Sequence, residues 1–79
     1  MKEPINKKEL IKEGVEDYIS HNPNVISSLI IKYKYGNRKL YQPWLYNKQN
    51  KLIGNRVGYW DIEVAKKVID NYEDKIKEW

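Results

Sequence analysis

Residues 25–46 read VISSLIIKYKYGNRKLYQPWLY, and this stretch decides the fold. Leu29, Ile31, Tyr33 and Tyr35 alternate with Ile30, Lys32 and Lys34, the twofold period of a strand with one wetter face. Gly36-Asn37 follows, a pair suited to a two-residue hairpin turn. The return strand, from Arg38 to about Tyr46, places Leu40, Gln42, Trp44 and Tyr46 on one face. Lys39, Tyr41, Pro43 and Leu45 fall on the other. Pro43 has no N–H to give to a ladder, so an unpaired side or a bulge is expected beside it.

Towards the C-terminus, 47–50 is a polar turn and 51–59 reads as a third strand weakened by Gly54 and Gly58. Asp61 then caps a helix over 61–79. Its apolar residues Ile62, Ala65, Ile69, Tyr72, Ile76 and Trp79 follow three- and four-residue steps. Glu63 with Lys67, and Glu73 with Lys77, are favourable i,i+4 pairs on its wet side. Towards the N-terminus, Asn6 and Glu9 are spaced as a capping box and Ile5 and Leu10 as a hydrophobic staple. Leu10, Ile11, Val15, Tyr18 and Ile19 share one helical face, which predicts a helix over 6–20, weakened at Gly14 and stopped by His21-Asn22-Pro23-Asn24.

The expected architecture is one α+β domain over 1–79, ordered α-β-β-β-α. The N-terminal helix (6–20) precedes a three-stranded antiparallel sheet (25–60), which the C-terminal helix (61–79) backs. That helix is expected to lay its apolar stripe across one sheet face and leave the Lys32/Lys34 face open. The stripe runs past the width of three strands at Ile76 and Trp79. Either the N-terminal helix covers the overhang, or a second copy of the chain does, as a homodimer through the C-terminal helix.

Size and composition narrow the class. At 79 residues without cysteine, the chain has room for one modest core and no disulfide to brace it. Aromatic side chains must supply much of the buried area. The absence of cysteine favours a reducing compartment, so a cytoplasmic location is expected. The longest apolar run, 29–31, is far below the roughly 18 residues of a membrane span. Heavy use of Lys, Ile, Asn and Tyr with little Ala suggests an AT-rich genome, as in phages and mobile elements.

Charge is segregated. Between Asp17 and Asp61 there is no acidic residue, yet that stretch holds seven of the fifteen Lys/Arg and eight of the ten aromatics. The net +4 therefore divides into +7 at the centre and −3 in the flanks. Cations interleaved with rings suit a polyanion. Lys32, Lys34, Arg38, Lys39 and Arg56 are the candidate contacts to phosphates or base edges, with Tyr33, Tyr41 and Trp44 as groove or stacking contacts.

Catalytic patterns are missing. The sequence has no glycine-rich phosphate loop, nucleophile elbow, paired metal ligands or carboxylate dyad. His21 has no Ser, Cys or paired acid placed to work with it. No enzyme activity, cofactor or metal is expected.

The segment GYWDIEVA (58–65) resembles the Gly-aromatic-x-Thr-x-x-Glu-Ala junction of the arm-site DNA-binding domains of tyrosine integrases. Tyr59 matches the aromatic, Asp61 the helix-capping Thr and Ala65 the alanine packed on the sheet. Val64 stands where Glu is usual. The resemblance implies a three-stranded sheet that enters the DNA major groove, backed by the following helix. Two functions follow as expectations. The first is a small DNA-binding module, with RNA as a competing partner, that uses its basic-aromatic sheet face. The second is a protein-interaction module, such as a phage-encoded, anti-CRISPR-like inhibitor of a host defence protein or of a replication protein. Its partner would be a nucleic-acid-binding host protein.

Overall fold

The computed structural model describes residues 9–54 and 58–73. Four antiparallel strands, β1 (Ile11–Tyr18), β2 (Val25–Tyr35), β3 (Arg38–Asn47) and β4 (Leu52–Gly54), lie side by side in chain order. The helix α1 (Ile62–Asp70) follows them. The class is α+β as expected, but the sheet has four strands, not three, and the order is β-β-β-β-α.

The central hairpin forms where the alternation placed it. Tyr35 pairs with Arg38 across Gly36-Asn37. Gly36 sits at φ +60° while Asn37 does not enter the positive region, the φ pattern of a type II′ turn, whose twist matches its strands. The third expected strand appears as β4 and, further along, as a bridge in which Tyr59 and Tyr41 exchange both backbone hydrogen bonds (2.7 and 2.8 Å).

The expected N-terminal helix is corrected to β1. Its apolar spacing fits a helix, but a register shift between Lys12 and Gly14 inserts Glu13 as a bulge. The bulge breaks the period of two, so the alternation is hidden in the sequence. In space, β1 covers the edge of the long strand β2, and Glu13 and Glu16 reach lysines of β2 and β3. Tertiary pairing overrides a helix preference already reduced by Gly14 and by β-branched Ile11 and Val15. Asn6 and Ile5 of the expected cap lie outside the described residues.

The core forms where α1 meets β2 and β3. Ile30, Leu45, Ala65, Ile69 and Tyr72 are fully or almost fully buried, with Tyr18, Val25, Tyr41, Ile53, Tyr59 and Ile62 around them. The predicted helix stripe is thus the packed one, through Tyr72. Ala65, with no exposed surface, lets the helix backbone approach the sheet closely. Because Ile30 pairs with Pro43, and Ser28 with Leu45, the covered face is the one that carries Lys32 and Lys34. The expectation that this face stays open is overturned: the pleat ties both lysines to Ile30, the residue α1 buries.

Both helix ends are closed. The Asp61 carboxylate accepts from the Glu63 N–H (2.9 Å). At the other end, the Asn22 amide donates to the carbonyls of Ile69 (3.0 Å) and Tyr72 (2.8 Å), while its own oxygen accepts from the Asn24 N–H. Asp70 accepts from the Tyr18 hydroxyl (2.8 Å) and the Ser20 hydroxyl (2.6 Å). The β1–β2 loop therefore takes up the last carbonyls, and α1 ends at Asp70 with Asn71 as its cap, short of the helix expected over 61–79. Residues 74–79, with Ile76 and Trp79, lie outside the described residues, and so does the homodimer argument built on them.

Two substitutions measure these contacts by urea unfolding. Ile69→Ala should cost about 2–5 kcal/mol as a buried large-to-small change. Asn22→Ala should cost about 1–3 kcal/mol, because it strips partners from two helix-end carbonyls. Loss of less than about 0.5 kcal/mol in Asn22→Ala would show that water replaces the amide.

Candidate nucleic-acid interface

The sheet divides seven of the eight expected contact residues between its two faces. Tyr33, Trp44 and Arg38 share the face away from α1, whereas Lys32, Lys34, Lys39 and Tyr41 lie on the face that α1 partly covers. Arg56 is outside the described residues. Tyr41 is half-buried against the core and bridged to Tyr59, which makes it a packing residue.

The lysines on the helix side are mostly paired. Lys32 meets Glu16 at 2.9 Å and Lys39 meets Glu13 at 2.7 Å, both across from β1. Lys66 of α1 approaches Glu16 at 4.0 Å and Glu63 at 3.3 Å. Lys34 stands directly opposite Lys39, a like-charge pair that Glu13 relieves. The hydrogen bond and charge of Lys32, with a smaller contribution from Lys66, hold the Glu16 carboxyl below its ordinary range. The hydrogen bond and charge of Glu13 raise Lys39. Likewise, the hydrogen bond to Asp70 raises the Tyr18 phenol. The acid-free centre of the sequence is thus partly neutralised by acids from the strand beside it.

The opposite face carries the larger apolar and aromatic surface. Val15 lies across from Ile31, Leu29 from Trp44, Ile31 from Gln42, Tyr33 from Leu40, and Tyr46 from Leu52. Among the described residues, the chain at Gly58 passes over Leu40 on this face, and Trp60 lies against Arg38 and Tyr35 at its hairpin end. Val15, Tyr46 and Leu52 remain 48%, 40% and 49% exposed. Monomeric proteins seldom present so continuous an apolar area without a partner.

Polar contacts fix the rings. The Gln42 side-chain oxygen accepts from the Trp44 indole N–H (3.0 Å) and, weakly, from the Tyr33 hydroxyl (3.4 Å). The indole lies over Gly54, where a Cβ would overlap its six-membered ring. At the hairpin end, the Arg38 guanidinium stacks 3.7 Å from the centre of the Trp60 ring, and Tyr35 lies 6.2 Å from the same ring. Lys12 stands across from Tyr33 on this side. The result is a band of held rings with cations at one end.

No family model, curated protein or solved structure matches the chain. Several residues of this face were not among the expected contacts: Gln42, Tyr46, Trp60 and Asp17. The alternation over 38–46 does group Gln42 and Tyr46 with Trp44. The Arg38–Trp60 stack joins residues 22 positions apart and leaves no local signal. Among the described residues, no group of three or more acids or histidines could hold a metal ion.

Three outcomes check this geometry. Glu13→Gln with Glu16→Gln should unmask Lys39 and Lys32 and tighten heparin binding, read by the salt needed for elution; an unchanged elution point would place the heparin site elsewhere. Because the folded Glu16 value lies below the unfolded one, its contribution is present above the ordinary value of 4.5 and is lost as pH falls through the lowered value. The urea midpoint should therefore drop on acidification below that range, less so in Glu16→Gln and less in high salt. Gly54→Ala should displace the indole from its bond to Gln42, shift its fluorescence emission and lower the unfolding midpoint, since a rigid, hydrogen-bonded ring must yield.

Proposed function

We propose that this chain is a small, non-enzymatic nucleic-acid-binding module that stacks unpaired bases on the sheet face opposite α1. The observation that carries the reading is the ring band Tyr46, Trp44, Tyr33, Tyr35 and Trp60, in which Trp44 is pinned by Gln42 and seated on Gly54. Residues two apart on a strand stand about 6.8 Å apart, so Trp44 and Tyr46 offer successive platforms. Each base stacked on an aromatic side chain contributes about 1–3 kcal/mol, with little dependence on sequence. Arg38 and Lys12 supply cations at the hairpin end, where phosphates between stacked bases would lie. Pairing of Lys32 and Lys39 with acids weakens the case for a phosphate-dominated duplex site and favours single strands. The likeness of 58–65 to the integrase junction points to DNA, and the ring band accepts RNA equally.

A second reading has one specific observation in its favour. Val15, Leu29, Ile31 and Leu52 place aliphatic side chains among the rings, as in the core of a protein interface with charges at its rim. The partner would then be a protein, such as a nucleic-acid-binding host protein.

Fluorescence anisotropy with short single strands and the matching duplexes, over a salt series from about 50 mM, decides between them. Single strands should bind at least tenfold tighter than duplex. Trp44→Ala should weaken that binding at least tenfold, or about 1.4 kcal/mol, with the fold intact by circular dichroism. Arg38→Ala should weaken it and flatten its salt dependence. No binding at about 50 mM salt, with a stoichiometric protein retained from nuclease-treated lysate, would establish the protein reading instead.

A further inference from the structure

Three acids lie along β1, and two of them are paired. Glu13 is bonded to Lys39 and Glu16 to Lys32, both on the helix side of the sheet. The Asp17 carboxylate makes no hydrogen bond or ion pair among the described residues. It also lies on the other face, because it pairs with Leu29, which in turn pairs with Trp44. Asp17, Leu29 and Trp44 therefore form one row across three strands. A cleft of about 110 Å³ runs along this row, lined by Asp17, Ser27, Leu29, Trp44, Tyr46 and Leu52.

Resting on the nucleic-acid reading above, we propose that this cleft is a guanine subsite, with Trp44 as the stacking platform and the Asp17 carboxylate as the reader of the base edge. Two strand spacings, about 10 Å, separate the backbone of Asp17 from that of Trp44, so a base stacked at the indole can turn its edge towards the carboxylate over Leu29. A carboxylate is acceptor-only and presents two oxygens side by side. Guanine presents N1–H and N2–H as adjacent donors that both oxygens can take. Adenine and cytosine each offer one amino donor next to a ring-nitrogen acceptor, which a carboxylate repels. Uracil and thymine offer one N–H between two carbonyls. Leu29 and Leu52 keep water from one side of the pair, which strengthens hydrogen bonds to the ionised group. The same carboxylate repels phosphate, so the backbone is directed towards Arg38 and Lys12 at the far end of the face.

The test uses the full chain and labelled decamers: ten uridines, and the same strand with one central G, A or C. A single G avoids four-stranded assembly. The G decamer should bind at least fivefold tighter than the all-U strand, and the A and C decamers within twofold of it. Asp17→Asn, isosteric and on an exposed edge, should bring the G decamer to within twofold of the all-U strand measured on the same variant, whatever the loss of a negative charge does to both strands alike. If all decamers bind alike and Asp17→Asn changes nothing, the guanine subsite is wrong and the stacking face stands. If no decamer binds, both fail. If an arginine-rich peptide binds in an Asp17-dependent manner and no decamer does, the cleft reads a guanidinium and the face belongs to a protein partner.

Discussion

The contact of Ala65, Ile69 and Tyr72 with Ile30 and Leu45 is the constraint on which the rest of this molecule depends. It is the part of the structure where helix and sheet bury side chains completely, and each of Ile30, Leu45 and Ile69 contributes on the order of 1.5–3 kcal/mol. Because a strand alternates strictly, fixing Ile30 beneath α1 fixes the facing of every other residue in β2 and, through pairing, in β3. Lys32 and Lys34 are thereby sent to the helix side, and Leu29, Ile31, Tyr33 and Tyr35 to the open side. The Asn22 and Asp70 contacts hold the helix in this position by tying its last turn to the β1–β2 loop.

The same constraint explains why charge segregation along the chain is not charge segregation in space. The 43 acid-free positions between Asp17 and Asp61 end where β1 ends, and β1 lies directly beside β2. Glu13 and Glu16 thus face the lysines from which they are far removed in sequence. Such exposed pairs contribute little to stability. Their effect is on the field: Lys32 and Lys39 no longer form an uncompensated cationic strip.

Much of this fold was readable from residues alone, and the failures have physical causes. The hairpin was legible because 29–35 alternates and Gly36 supplies the turn. The helix stripe was legible because Ile62, Ala65, Ile69 and Tyr72 repeat at helical spacing. β1 was not legible, since the bulge at Glu13 turns a two-residue period into one that resembles a helix. The identity of the covered face was not legible either. One expects a helix to cover the more apolar side, and α1 covers the side with Ile30, Pro43 and Leu45 because those residues interlock with Ala65 and Ile69 at close range. Of the candidate site, Tyr33, Trp44 and Arg38 were placed together as rings and cation, while Lys32, Lys34, Lys39 and Tyr41 were grouped with them only because sequence proximity ignores the pleat.

The core between α1 and the sheet is buried, and the opposite sheet face keeps apolar side chains that are partly exposed. Trp44, Tyr46, Leu52 and Val15 stay partly exposed while β1, an edge strand, guards against pairing with another sheet by its bulge and by Lys12, Glu13, Glu16 and Asp17. Pairing along β1 is thus hindered, and among the described residues the face is covered at Leu40 and at the hairpin end but not around Trp44 and Tyr46. The rings on it are also not loose: Trp44 has its N–H bonded and its ring seated on Gly54, and Trp60 is stacked under Arg38. Ordering a side chain before a ligand arrives removes about 0.5–1.5 kcal/mol of cost at the moment of binding. Rings held by Gln42, Gly54 and Arg38 before any ligand arrives are what the stacking proposal needs, and they lie on the sheet face that α1 does not cover.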